Sequence, residues 1–390
     1  MSRTDRVIYM DNNATTRVAP EVFEEMKPYF CDLYGNPSSM HTFGGQVGKK
    51  VTGARDKIAA SLNCAPVEIV FTSCGTESDN FAVKGIFEAH PDKRHFITTR
   101  VEHPAVYNLG RWFEHQGYDV TYLSVDNEGM LDLDELRSAI RPDTGLVSIM
   151  WANNETGTIF PIPRIARIVK GAGCLLHVDA VQAIGKIPID LRKVPIDLLA
   201  LSGHKVHAPK GIGLLYVRKG TKIRSQMIGG HQERGRRGGT ENTPYIIGFG
   251  KACELAMENM GDEVSKVKAL RDKLEHFILN KIPMTRLNGH PIERLPNTLS
   301  VSFEYIEGEA ILLDLDRLGI CASSGSACTS GSLEPSHVLR AMGVPFTCAH
   351  GSIRFSLSRY NTEEDVDYVI EHLPEVINRL REMSPFAPKV

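Results

Sequence analysis

The sequence predicts an α/β protein with a mainly parallel sheet covered by helices, and three observations support this. First, short apolar segments alternate with helical stretches, as parallel sheets require. Second, polar side chains follow several of these segments, where parallel sheets collect ligands. Third, 390 residues can bury a large core and form two lobes. The predicted strands are Glu68–Thr72, His95–Thr99, Val120–Leu123, Leu146–Trp151, Cys174–Val178, Ile196–Leu201 and Gly213–Val217.

Composition excludes several classes of protein. A net charge of −2 gives no general attraction to nucleic acid or to an acidic membrane. No apolar run follows Met1 or approaches the roughly 18 residues that span a bilayer, so we expect a cytoplasmic protein without a membrane segment. The eight cysteines contain no C-x-x-C pair, which argues against a disulfide framework or structural zinc. His204 and His207 lack a third ligand nearby, so no metal site is predicted.

The N-terminal part is predicted to begin with a short strand at Ile8, which breaks at the turn formers Asp11 to Asn13. Helices are expected over Glu21–Phe30 and Gln46–Leu62, the second because apolar residues recur every three or four positions. The segment GGQVGKK at 44–50 resembles a phosphate loop, but its glycine spacing is one residue short. A nucleotide site is therefore not predicted there.

A turn of small residues, Ser73 to Asn80, follows the first strand of the predicted sheet and opens a helix. The free amides and the dipole at such a helix start bind anions, and Thr76 suits a phosphate ligand. A plain helix cap requires the same residue types, so this motif is weak by itself.

Lys205 comes just after one predicted strand, and Asp179 comes at the end of another. A lone lysine there is usually a solvated turn residue, and a lone aspartate is usually a helix cap. Together they suit pyridoxal phosphate, because a lysine carries its aldehyde as an imine and a carboxylate keeps the pyridine nitrogen protonated. Pyridoxal phosphate is therefore the leading cofactor hypothesis.

The remaining segments predict a second, smaller α+β lobe. The glycine- and arginine-rich segment 229–243 carries no aromatic residues beside its arginines, which argues against a nucleic-acid site. From Glu263 a long charged helix begins, followed by strands at Thr298–Ser302 and Ser352–Leu357 around a helix at Gly308–Leu318. We predict a large domain over 15–260 and a small domain formed by 1–14 and 261–390.

The segment 323–333 contains Cys328 among serines and glycines, a composition that cannot fix one conformation by packing. We expect a mobile loop that carries a reactive thiol between a pocket and an outside acceptor. Cys321 follows an apolar stretch and is expected to be buried. Arg354, on the last predicted strand, can hold a carboxylate with two hydrogen bonds, although a surface arginine is the simpler interpretation.

Three motifs resemble the cysteine desulfurases of the NifS and IscS type, in the class V group of fold-type I pyridoxal phosphate enzymes. They are HVDAVQ at 177–182, SGHKVHAPKGIG at 202–213 and SSGSACTSGSLEPSHVLRAMG at 323–343. The resemblance extends from about Tyr9 to Asn361, and the short C-terminal segment SPFAPKV favours the NifS type, associated with nitrogen fixation. It implies a fold-type I transferase whose large domain holds a mainly parallel seven-stranded sheet.

The resemblance also implies an activity, the conversion of L-cysteine to L-alanine with the sulfur held as a persulfide. Its catalytic residues are Cys328, Lys205 and His103, the last stacked on the cofactor ring. It implies a homodimer in which Thr240 touches the neighbouring subunit's phosphate, and a NifU/IscU-type iron–sulfur scaffold as acceptor. The implied cofactor site is Lys205, Gly75, Thr76, His103, Asn154, Asp179, Gln182, Ser202, His204 and Thr240. The implied substrate contacts are Arg354, Asn154 and Asn36.

Other functions stay open at this point. A selenocysteine lyase or a class V aminotransferase would use the same cofactor without needing a reactive cysteine. A non-enzymatic sulfur-transfer or scaffold protein would give no visible absorbance with pyridoxal phosphate, and replacing Lys205 would change nothing.

Overall fold

The computed structural model describes residues 7–324 and 335–388, and its central feature is a seven-stranded sheet. The strand order is β2-β8-β7-β6-β5-β3-β4, and only β8 runs against the other six. The predicted mainly parallel, seven-stranded sheet is thus confirmed. The strands are β2 (Ile69–Thr72), β3 (His95–Thr99), β4 (Asp119–Leu123), β5 (Thr144–Ser148), β6 (Leu175–Asp179), β7 (Leu198–Ser202) and β8 (Gly213–Val217).

Helices cover both faces of this sheet. Alternate residues of the strands enter separate apolar clusters, so that Ile97 and Val147 pack on one side while Phe96 and Leu146 pack on the other. The helices around the sheet are α1 (Pro20–Met26), α2 (Pro28–Cys31), α3 (Thr42–Leu62), α4 (Gly75–Ala89), α5 (Pro104–His115), α6 (Leu133–Ala139) and α7 (Ile162–Gly171). Among the described residues, no helix is long and apolar enough to cross a membrane.

Two smaller sheets complete the fold. Strands β12, β10 and β9 form an antiparallel sheet in that order, and β1 pairs in parallel with β11. The elements of this part are β1 (Ile8–Tyr9), α8 (Thr243–Lys281), β9 (Thr285–Leu287), β10 (Thr298–Phe303), α9 (Gly308–Arg317), β11 (Ile320–Cys321), α10 (His337–Ala341), α11 (Phe346–Ala349), β12 (Ser352–Ser356) and α12 (Glu363–Met383).

Two predicted elements differ from the observed ones for local reasons. The helix expected over Glu21–Phe30 breaks at Lys27, because Pro28 has no N–H to continue the helical ladder. The strand expected to reach Trp151 ends at Ser148. Beyond it, the Met150 amide donates to the Glu102 carboxylate at 3.1 Å instead of to a strand. The Trp151 amide still donates to the Asp179 carbonyl at the end of β6, so residues 150–154 lie at the end of the sheet.

One helix connects the two parts of the chain. The charged helix expected from Glu263 begins at Thr243 and runs without interruption to Lys281. Its first half packs Phe249 into the cluster on the large sheet, and its second half packs Leu274 into the cluster beneath the smaller sheets. The predicted domain boundary at 260/261 falls inside this helix. The division into two domains stays a prediction.

Candidate active site

A cavity of about 380 Å³ lies at the carboxyl ends of the parallel strands β2, β3, β5, β6 and β7. Parallel strands end at the same edge of a sheet, so the polar segments that follow them converge there. Ten of the predicted site residues line this cavity: Gly75, Thr76, His103, Asn154, Asp179, Gln182, Ser202, His204, Lys205 and Arg354.

Lys205 reaches the cavity from a single 3₁₀ turn, Gly203–Lys205, that directly follows β7. Its Nζ donates hydrogen bonds to the backbone carbonyls of Asn13 at 2.6 Å and Ala14 at 2.7 Å. These two carbonyls belong to the N-terminal segment, nearly two hundred residues away in sequence. The lysine amine is therefore held at a fixed point on the cavity wall.

Asp179 is the last residue of β6 and is buried on the cavity floor. One carboxylate oxygen, Oδ1, accepts a hydrogen bond from the Val181 amide at 2.9 Å. Burial raises the pKa of Asp179 to about 6, while the Val181 hydrogen bond and the charge of Lys205 oppose that rise. A cationic group in the cavity would favour the ionised carboxylate further.

Asp79 is a second buried carboxyl at this cavity, and it stands close to Asp179. Burial and then the negative charge of Asp179 raise the pKa of Asp79 well above its usual value. Its Oδ1 lies 3.5 Å from Nε2 of His177, whose pKa burial lowers to about 3. Asp79 is thus favoured as a neutral acid, which leaves Asp179 as the anionic group of the pair.

His103 caps α5 at the side of the cavity. Its Nδ1 accepts a hydrogen bond from the Ala105 amide at 3.1 Å, so the neutral ring carries its proton on Nε2. Burial first, and then the positive charge of Lys205, lower the pKa of His103 to about 4. The ring is therefore uncharged near neutral pH and can stack on an aromatic ligand or exchange a proton through Nε2.

The start of α4 forms one end of the cavity and fits an anion. A Cβ at Gly75 would lie only 2.9 Å from Cγ2 of Val181, so glycine allows the helix start to approach the strand ends this closely. Ser202 presents a buried hydroxyl that has no partner among the described residues. With Thr76 and the helix dipole beside it, this hydroxyl suits a phosphate group.

His204 also lines the cavity, and its Nδ1 is 3.2 Å from the Thr15 hydroxyl. Burial first, and then the charge of Lys205, lower the pKa of His204 to about 4. A neutral His204 still offers one N–H to an oxygen of a bound group.

Arg354 comes from β12 and is almost fully buried. Its Nη2 donates to the Asp11 carboxylate at 2.8 Å, and its Nη1 donates to the Asn154 backbone carbonyl at 2.9 Å. The Nε atom is buried without a partner among the described residues. The guanidinium is thus fixed in place, and each Nη keeps a second N–H that makes no hydrogen bond to another described residue. The Asn154 side chain also makes no hydrogen bond to another described residue.

Three predicted site residues do not line this cavity. Asn36 is exposed in its loop, where its Oδ1 accepts from the Ser38 amide at 2.9 Å. Thr240 is exposed at a separate depression beside Thr72 and Ser73. Cys328 lies outside the residues that the structure describes.

The main residue that the sequence did not predict for this site is Asn13. Its backbone carbonyl accepts from both Lys205 and Gln182, and its side chain donates to Thr298 at 2.9 Å. The sequence did contain a pattern that could have indicated this role. Polar residues follow the short strand at Ile8, as they follow the strands of the large sheet. Its turn-forming residues favoured a simple turn instead.

The sequence model of the family described as "Aminotransferase class-V" matches residues 8–369. The chain belongs to the class V aminotransferase family. Members of this family are in general pyridoxal phosphate-dependent, and the acid, the lysine and the anion-binding helix start of the cavity fit that cofactor.

Relatives place the chain in one branch of the class V aminotransferase family. It is 62% identical to a cysteine desulfurase of Trichormus azollae, over 97% of this chain and 95% of the relative. It is 55% identical to the cysteine desulfurase NifS of Azotobacter vinelandii, over 97% and 94% of the two chains. These matches confirm the resemblance to the NifS and IscS type.

Solved structures agree with this placement. A structure described as a NifS-like protein superposes with a TM-score of 0.91 at 43% identity, covering 96% of this chain and all of the other. A second, described as SspA in complex with cysteine, gives a TM-score of 0.81 at 37% identity over 91% and 99% of the two chains. The predicted fold-type I class V architecture is thus confirmed.

Proposed function

We propose that the protein is a pyridoxal phosphate-dependent cysteine desulfurase that converts L-cysteine to L-alanine and transfers the sulfur to Cys328. The observation that carries this proposal is the single cavity in which Lys205, Asp179, His103 and Arg354 meet. The relatives named cysteine desulfurase and the cysteine-bound relative support the choice of substrate.

The cavity has a contact for each part of the proposed cofactor. Gly75, Thr76, Ser202 and His204 would hold its phosphate, and Asp179 would hold its pyridine nitrogen. When bound to an amine, pyridoxal phosphate supplies a sink for the electrons of a broken Cα–H bond. Asp179 supports that chemistry because an ionised, buried carboxylate keeps a proton on the atom it faces.

Lys205 would hold the cofactor through its amine, and the same amine would take the proton from the substrate Cα. The carbonyls of Asn13 and Ala14 can only accept hydrogen bonds, so they steer the N–H groups of Lys205 and fix its position. His103, neutral and protonated on Nε2, would stack on the cofactor ring and exchange protons beside it.

Arg354 would bind the carboxylate of the cysteine substrate, with the Asn154 side chain beside it. Each Nη donates one hydrogen bond, to Asp11 or to the Asn154 carbonyl, and keeps a second N–H for the substrate. A preformed, buried guanidinium of this kind orients a carboxylate without moving. Asn36 is also kept as a proposed substrate contact, although in this chain it does not line the cavity.

The described residues on both sides of the Cys328 segment contact residues at or next to the cavity. On one side Ser323 exchanges backbone hydrogen bonds with Arg354, at 3.1 and 2.6 Å. Cys328 follows Ser323 by five residues, and an extended chain spans at most about 3.6 Å per residue, or about 18 Å. Covalent geometry therefore allows the thiol to enter the cavity.

The transfer step balances without an outside oxidant. The thiolate of Cys328 attacks the substrate sulfur, an S–S bond forms and the substrate C–S bond breaks. The electron pair of the C–S bond stays on carbon, which takes up a proton and becomes the methyl group of alanine. The enzyme is left with a persulfide on Cys328.

We also propose a homodimer in which Thr240 contacts the phosphate site of the neighbouring subunit. Its exposure, and its absence from the cavity of its own chain, support a contact made outside the chain. The proposed sulfur acceptor is an iron–sulfur scaffold protein of the NifU/IscU type.

The proposed activity is tested by comparing the amounts of alanine and sulfide that the protein releases. The purified protein, supplied with pyridoxal phosphate, L-cysteine and a reducing thiol, should release alanine and sulfide in equal amounts. Lys205→Ala should release neither and should lose the visible absorbance of the bound cofactor. A protein that stays colourless with pyridoxal phosphate would overturn the proposal.

A further inference from the structure

Lys186 is a second lysine near the cavity, and the proposed mechanism does not use it. It follows β6 by seven residues, and its Nζ donates to Oε1 of Gln182 at 2.7 Å. The amine also lies close enough to Lys205 and Arg354 for their charges to act on it. This partly buried amine is therefore part of the surroundings of the cavity.

The contact belongs to a chain of hydrogen bonds that joins the two lysines. Nε2 of Gln182 donates to the Asn13 carbonyl at 3.0 Å, and the same carbonyl accepts from Nζ of Lys205 at 2.6 Å. The Gln182 amide is thus held at both ends, by Lys186 on its oxygen and by Asn13 on its nitrogen.

This arrangement determines which end of the Gln182 amide can act in the cavity. The Asn13 carbonyl only accepts, so it takes an N–H of the amide group, and Lys186 donates to the oxygen. The NH₂ group has a second N–H, and among the described residues that N–H has no acceptor. Gln182 lines the cavity, so it can donate this N–H to a bound oxygen atom.

We propose that Lys186 is a positioning residue for Gln182, whose oxygen it holds so that the amide N–H remains directed to the cofactor. Gln182 is buried, and without Lys186 its oxygen would have no donor among the described residues. A buried acceptor without a donor is destabilising, so the side chain would move to reach water. The inference rests on the proposed function, because the ligand that Gln182 meets is pyridoxal phosphate.

The energetics of the site are consistent with this role. Burial first, and then the charges of Lys205 and Arg354, lower the pKa of Lys186 to about 7. An amine donates a hydrogen bond in both its neutral and its charged form, so the contact with Gln182 persists through neutral pH.

A double-mutant cycle on cofactor affinity tests the proposal. The variants are Lys186→Met, Gln182→Ala and the combination, each freed of cofactor and titrated with pyridoxal phosphate while visible absorbance is recorded. Lys186→Met should raise the Kd for pyridoxal phosphate about tenfold, as expected for a lost buried hydrogen bond. In the Gln182→Ala background the same change should have no further effect, because Lys186 acts through Gln182.

Lys193→Met is the matched control, since that lysine is exposed, pairs with Asp190 and should leave the Kd unchanged. Should Gln182→Ala fail to fold, Gln182→Met, which keeps the side-chain volume, takes its place in the cycle. An unchanged Kd for Lys186→Met, or effects that multiply in the double variant, would overturn the role of Lys186. A wild-type protein that binds no pyridoxal phosphate would instead overturn the proposed function.

Discussion

The Ser336 hydroxyl donates a hydrogen bond to the buried carboxyl group of Glu155, which neighbours the cavity residue Asn154. The same hydroxyl caps α10 by accepting from the amides of Val338 and Leu339. This contact attaches the chain directly after the Cys328 segment to the turn that follows β5, as the Ser323–Arg354 backbone contact attaches the chain before it.

Ser336→Ala tests whether this attachment serves sulfur transfer. The variant loses the contact to Glu155 and the helix cap, so we expect persulfide formation on Cys328 to slow about tenfold, the equivalent of a lost buried hydrogen bond. Affinity for pyridoxal phosphate should not change. The measurement is the single-turnover rate of persulfide formation, with Ser384→Ala, far along the chain at the end of α12, as the control. Equal rates in the wild type and Ser336→Ala would contradict the prediction.

Glu155 should also make stability depend on pH. Burial raises the pKa of Glu155 from 4.5 to about 7, against the opposing effects of Ser336 and Arg354. A carboxyl with a raised pKa favours the folded state while protonated, so its contribution is complete below pH 4.5 and is lost as pH rises through about 7. Between these values, the free energy of unfolding of the wild type should fall by roughly 2–3 kcal/mol relative to Glu155→Gln. The measurement is denaturant titration of the two proteins at acidic and at neutral pH. If the difference between their free energies of unfolding is the same at both pH values, the prediction is wrong.

Arg354→Lys should separate substrate binding from cofactor binding. Lysine keeps the charge but cannot replace the planar guanidinium that Asp11 and the Asn154 carbonyl hold. The KM for L-cysteine should rise by roughly 10- to 100-fold, while the visible absorbance with pyridoxal phosphate persists. Arg317→Lys, at an exposed arginine that pairs with Asp314, serves as the control. An unchanged KM would show that another group binds the carboxylate.

His103→Ala should reduce turnover without removing the cofactor. Loss of a proton-transferring group lowers kcat by roughly 10²- to 10⁴-fold. Since the pKa of His103 is lowered to about 4, this residue should add no step to the pH–rate profile of the wild type between pH 6 and 8. If the variant keeps the wild-type kcat, His103 transfers no proton in the rate-limiting step and serves only in packing.

Local patterns predicted the parts of the structure that depend on neighbouring residues. The strands at His95–Thr99 and Gly213–Val217 have the predicted bounds, because both segments are rich in apolar, aromatic or β-branched residues. Lys205 and Asp179 were predicted from their places at strand ends, and both line one cavity. The reversed direction of β8 was not predicted, because it depends on the path of the chain between strands.

The contacts that the sequence did not reveal join distant residues. Asn13 meets Lys205 across 192 positions, and no periodic pattern relates the two. Lys186 carried no signal either, since its partner is a side chain one helical turn away in an irregular segment. Burial of polar groups at such contacts is decided by packing of the whole chain, which local patterns do not record.

Mass analysis of Cys328 after a single turnover is a direct test of the proposed sulfur transfer. With one equivalent of L-cysteine and no added thiol, we expect one alanine per active site and a gain of one sulfur atom on the peptide that contains Cys328. Cys328→Ala should form neither the persulfide nor alanine at the wild-type rate. Wild-type rates of alanine formation in that variant, or added sulfur on another cysteine, would show that Cys328 does not accept the sulfur.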